Sequence, residues 1–76
     1  MDPEDARFQK RSLTLMGHKT SVALEKAFWR VLEESAQSQG VSLSQLIQEI
    51  DSHRTGSLSS ALRLYALLKV KESGVS

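Results

Sequence analysis

Apolar positions change their period twice along the chain, and each change marks an element. Residues 10–16 read Lys-Arg-Ser-Leu-Thr-Leu-Met. Leu13 and Leu15 alternate with Ser12, Thr14 and Met16, a period of two that predicts a short strand. Gly17-His18 follows, and a Gly-X pair between alternating runs suits a two-residue hairpin turn. In residues 19–24 Thr20, Val22 and Leu24 fall on one face, and Lys19, Ser21 and Ala23 on the other. Phe28, Val31, Leu32 and Ala36 then recur at helical spacing. Gly40 suits the left-handed end of that helix, because it has no Cβ to clash there. Ser42 with Gln45 three residues on forms a capping box, and Val41 with Leu46 a hydrophobic staple, so a second helix begins here. Its stripe is Leu43, Leu46, Ile47 and Ile50. The polar run from Asp51 to Gly56 stops it. A third helix is predicted over 57–72. Leu58, Ala61, Leu62, Tyr65 and Leu68 form one face; Leu64, Leu67 and Val70 extend the apolar surface beyond what a free surface helix carries. Residues 1–9 read as a loose arm and 73–76 as a frayed end, around one domain over 10–72. No internal repeat is apparent.

A chain of 76 residues buries only about 60% of its unfolded surface, so it is marginal alone. Disulfides, metals or oligomerisation usually compensate. There is no cysteine, and His18 and His53 lack metal-ligand spacing. No metal and no cofactor is expected, and His18 reads as a surface histidine in a turn. Self-association remains. A strand followed by helix, turn and helix leaves strand backbone groups unpaired, and a homodimer pairs them with their own copy. The expected core of that dimer is Val22, Leu24, Phe28, Val31, Leu32, Leu46, Ile47 and Ile50. Trp29, off the helix face of Phe28, points to the core or the dimer contact.

Charge adds one feature. The net charge is only +1, but Asp2, Glu4 and Asp5 make the start acidic. Residues 6–30 carry Arg7, Lys10, Arg11, Lys19, Lys26 and Arg30 against Glu25 alone. A basic segment beside a strand is a candidate nucleic-acid footprint; the alternative is a solvated surface. No nucleophile with a nearby base, Gly-rich phosphate loop or carboxylate pair occurs, so no enzyme is expected. No apolar run approaches the ~20 residues that span a bilayer, and no signal-peptide pattern opens the chain. A cytoplasmic protein without membrane contact is expected.

The order of these elements resembles the ribbon-helix-helix family. Val22-Ala23-Leu24 resembles its ribbon, Phe28-Trp29-Arg30-Val31-Leu32 its first helix, and Gly40-Val41-Ser42-Leu43-Ser44 its turn into the second. Residues 10–25 together with Gly56-Ser-Leu-Ser-Ser-Ala-Leu-Arg resemble a bacterial branch that adds a leader strand and a C-terminal helix. The resemblance implies a mainly α fold with a short β-ribbon, an intertwined homodimer, and a transcription regulator that binds double-stranded DNA. It also departs from the family. Ala23 stands where a polar or basic ribbon residue is usual, and Glu25 where Ser or Asp would cap.

The resemblance makes Lys19, Ser21 and Ala23 the base-reading residues; an ordinary solvent-facing strand is the alternative. Lys19 would reach guanine acceptors or a phosphate, Ser21 a base edge, and Ala23 a thymine methyl. Phosphate contacts would come from Lys10 and Arg11, and from the start of the second helix at Ser42, Leu43 and Ser44, where free amides favour an anion. Plain capping needs the same Ser42. A leader strand paired as a hairpin raises a conflict, because a dimer ribbon widened to four strands exceeds a major groove about 12 Å wide. The rival reading is an antitoxin-like or adaptor dimer whose third helix grips another protein, without DNA. A purely structural dimer is the last alternative.

Overall fold

The two strands of this protein pair with each other within the chain. The computed structural model describes residues 2–72, a short 3-10 helix (Pro3–Ala6) followed by β1 (Phe8–Leu15), β2 (His18–Glu25), α1 (Lys26–Gln39), α2 (Leu43–His53) and α3 (Leu58–Glu72). The frayed end expected over 73–76 lies outside the described residues. β1 and β2 form a two-stranded antiparallel sheet in which Phe8 pairs with Glu25 and Leu15 with His18. The leader strand therefore satisfies one edge of β2, and the premise of a solitary strand seeking a second copy falls away.

The turn falls on Met16-Gly17, one residue earlier than the sequence pattern placed it. Both residues have positive φ, 53° and 81°, as the two-residue turn that matches strand twist requires. Gly17 adopts this freely. Met16 does so against its Cβ, and Gln48 Oε1 accepts its amide at 3.2 Å. The first strand starts two residues earlier than the alternation placed it. β1 begins at Phe8, and the acidic 3-10 helix lies against α1, where Asp5 meets Arg30 at 2.6 Å and Glu4 meets Lys26 at 3.8 Å.

Alternation then decides what the hairpin covers. Leu13, Leu15, Val22 and Leu24 are buried against the helices. Trp29, Leu32, Leu46, Ile47 and Leu62 complete the core with Ala36 and Ala66. Trp29 is fully buried, and its indole N–H donates to the Gln9 carbonyl at 2.7 Å. One ring thus fills the core and ties α1 to β1 without leaving its own polar atom unpaired.

The helix ends follow the residues that signalled them. Gly40, at φ 70°, closes α1 with its amide on the Gln37 carbonyl and the Val41 amide on Ala36, the paired bonds of a Schellman ending. Ser42 and Gln45 complete both halves of the capping box. α2 continues through Asp51-Ser52-His53 before Arg54 caps it, a turn further into the polar run than expected. α3 packs across α1 and α2. Tyr65 joins Ser35 and Gln39 of α1 by hydrogen bonds of 3.0 and 2.8 Å.

Candidate nucleic-acid interface

The register of the hairpin sorts its side chains into two sets. Toward the helices lie the buried leucines and valine, together with Arg11. On the opposite face Lys10 pairs with Ala23, Ser12 with Ser21, and Thr14 with Lys19, and all six residues are exposed. Lys19, Ser21 and Ala23, named from the sequence, do share one open face, and Lys10 joins them. Ser12 and Thr14 belong to the same face but were not named, although the alternation of Leu13 and Leu15 already placed them opposite the core.

Arg11 does not join that face. Its guanidinium lies 4.8 Å from the Trp29 ring centroid, meets Glu33 at 3.0 Å and donates to Gln9 Oε1. The expected pairing of Lys10 with Arg11 as one phosphate clamp is therefore split, because neighbours in a strand point to opposite faces.

Ion pairing removes most of the basic segment in the same way. Arg7, Lys26 and Arg30 pair with Glu4, Glu4 and Asp5, and Arg54, Arg63 and Lys69 with Asp51, Glu25 and Glu72. Among the described residues only Lys10, Lys19 and Lys71 have no carboxylate partner. Two of those three stand on the outward face of the hairpin.

Glu25 ends this face and starts α1. It makes no side-chain cap; its carboxylate instead accepts from Arg63 Nε at 3.0 Å, joining the ribbon–helix junction to α3. A backbone hydrogen bond, and then the Arg63 bond, hold its carboxyl below the usual carboxylate range.

At the start of α2 the Ser42 hydroxyl accepts the Gln45 amide at 3.0 Å, so capping occupies it. Leu43 is half-buried and Ser44 exposed. Their amides are first-turn donors without an intrahelical acceptor. Among the described residues no hydrogen bond or ion pair joins this helix start to Lys10 or Lys19.

The residues expected to form a dimer core divide. Val22, Leu24, Leu32, Leu46 and Ile47 are buried by their own chain, whereas Phe28, Val31 and Ile50 are only partly covered. The first five need no second copy. Large exposed apolar residues lie on α3, at Leu64, Leu67, Leu68 and Val70, and at the two ends of β1, at Phe8 and in the turn at Met16.

A family model for the ribbon-helix-helix domain matches residues 8–70. The chain belongs to that family. The solved structure of an uncharacterized protein from Bordetella pertussis Tohama I is similar, with 34% identity and a TM-score of 0.82. The match covers 96% of this chain and 64% of that one, so the chain spans just under two thirds of that protein's length. A comparison with curated proteins finds no match. Ribbon-helix-helix proteins typically bind DNA as transcription regulators, usually as dimers, and theirs is a regulatory fold rather than an enzyme family. Here the ribbon and two helices of that fold carry an added C-terminal helix, α3. No helix among the described residues is long and apolar enough to cross a membrane.

Proposed function

We propose that this ribbon-helix-helix protein binds double-stranded DNA in the cytoplasm as a homodimeric transcription regulator, with the outward face of its hairpin in the major groove. One observation carries the reading: Lys10 and Lys19 lack carboxylate partners and share an exposed face with Ser12, Thr14, Ser21 and Ala23. Phosphates reward unpaired cations, since each neutralised phosphate releases condensed counterions. Hydroxyls beside them reach base edges, and Ala23 meets a thymine methyl. Two strands about 4.8 Å apart fit a groove about 12 Å wide. The amides of Leu43 and Ser44 would take a flanking phosphate beside the capping duty of Ser42. Arg11 acts in the fold rather than on DNA.

Titration of selected and random duplexes at two salt concentrations tests the reading. The expected result is selective binding that weakens steeply with salt. Binding no tighter than the nonspecific range of about 10⁻⁴–10⁻⁶ M for every duplex would reject it. The exposed apolar residues of α3 favour a second reading, in which this helix docks on a protein and DNA has no part. Loss of a protein partner on Leu64→Ser and Leu67→Ser, with no duplex bound by the parent chain, would support that alternative.

A further inference from the structure

The hairpin register exposes a repeat that linear inspection passes over. Residues 10–15 read Lys-Arg-Ser-Leu-Thr-Leu and residues 19–24 read Lys-Thr-Ser-Val-Ala-Leu. A shift of nine residues superposes Lys10 on Lys19, Ser12 on Ser21, Leu13 on Val22 and Leu15 on Leu24. The pairing makes this shift a rotation. Lys10 faces Ala23 and Lys19 faces Thr14, while Ser12 faces Ser21, so a local two-fold axis passes between the two serines. The inward faces obey it with two apolar residues each. Over residues 10–14 and 19–23 the outward faces obey it with Lys and Ser and break it where Thr14 stands for Ala23; the Phe8–Glu25 pair at the helix end lies beyond the repeat.

We propose that β1 takes the place of a second copy's strand, so that each chain carries a complete, near-two-fold ribbon and reads one DNA element by itself. The element is then a near-palindrome centred under the Ser12–Ser21 pair and broken at the bases facing Thr14 and Ala23. Thr14 offers a hydroxyl to a base edge; Ala23 offers only a methyl, suited to thymine. The width of the ribbon supports this. Pairing β2 through its free edge with a second β2 would give four strands, about 14 Å between the outer ones, too broad to lie flat in the groove. The burial of Val22, Leu24 and Leu32 within one chain supports it as well. Two associated copies then present two ribbons and occupy two elements.

This inference rests on the DNA reading, and the experiment separates the two. Duplexes are selected from a random pool by the full chain, by Thr14→Ala and by Ala23→Thr, with circular dichroism confirming that each folds. The parent is expected to select an element whose halves differ at one position, with one chain bound per element. Thr14→Ala is expected to make the halves identical in the sense of the Ala23 side, and Ala23→Thr in the sense of the Thr14 side. Affinity for the parent element should fall roughly 5- to 150-fold for Thr14→Ala, the range of one base contact. A fully symmetric element for the parent that Thr14→Ala leaves unchanged would mean a ribbon shared between copies; it would overturn the inference and leave DNA binding standing. Enrichment of no duplex by any of the three would overturn both.

Discussion

The two faces of the hairpin share a backbone and differ in everything else. Inward, Leu13, Leu15, Val22 and Leu24 are buried, and the one charged residue, Arg11, is matched to Glu33 and stacked on Trp29. Outward, Lys10 and Lys19 meet no carboxylate among the described residues, and between them lie hydroxyls and a methyl, with exposed Phe8 beside Glu25 at the helix end of the face. A strand assigns alternate side chains to opposite faces, so Lys10 and Arg11, adjacent and alike in charge, have different roles. Positive charge in the sequence is therefore a poor guide to where the folded chain presents unpaired cations; that is decided after the fold has paired its ions.

The largest effects should come from the inward face. Val22→Asp places an unpaired charge in the core and is expected to unfold the chain, as read by the loss of its circular dichroism. Leu24→Ala should cost about 2–5 kcal/mol, as deletions at fully buried leucines do, measured by denaturant unfolding. Trp29→Phe should cost about 1–3 kcal/mol, because the part-buried hydrogen bond to the Gln9 carbonyl is lost and a smaller ring underfills a fully buried site. If Leu24→Ala unfolded like the parent, the inward face would not be core and the comparison would fail.

Arg11→Ala sharpens the contrast. It should lower stability by about 1 kcal/mol through the lost pair and ring contact, while leaving the salt dependence of DNA binding unchanged. Lys10→Ala should do the reverse. A parallel loss of DNA affinity in both variants would dissolve the distinction between the faces.

The smallest effect concerns pH at the junction of ribbon and helix. Glu25 has a lowered carboxyl pKa in the fold, so its charged form contributes stability above the ordinary carboxylate range of about 4.3. That contribution is lost as pH falls through the lowered value. Glu25→Gln should be less stable than the parent at neutral pH and converge with it in acid, as read by urea titrations across that range.

Much of the fold was legible because its signals are local. Gly40 ends α1 and Ser42 with Gln45 starts α2, since each acts on backbone groups within four residues. Alternation gave both faces of residues 19–24. What stayed hidden depends on contacts distant in sequence. That β1 closes on β2 and covers one of its edges is a matter of register, and so is the nine-residue repeat, whose two copies agree in Lys, Ser and Leu but differ between. Residues expected to wait for a dimer, such as Leu32 and Ile47, are buried in one cluster with residues of the hairpin and α3, an outcome that no helical period announces. The fate of Arg11 turned on Glu33 and Trp29, residues of another element.

One measurement bears most directly on the outward face as the DNA surface. Affinity for a selected duplex is followed against salt for the parent, Lys10→Ala, Lys19→Ala and Lys71→Ala, the last removing an equal charge from the far end of α3. The account expects the logarithmic salt slope to shallow by about 0.9 for each hairpin lysine that meets a phosphate, and to stay at the parent value for Lys71→Ala. Equal losses in all three variants, or none in either hairpin lysine, would contradict it.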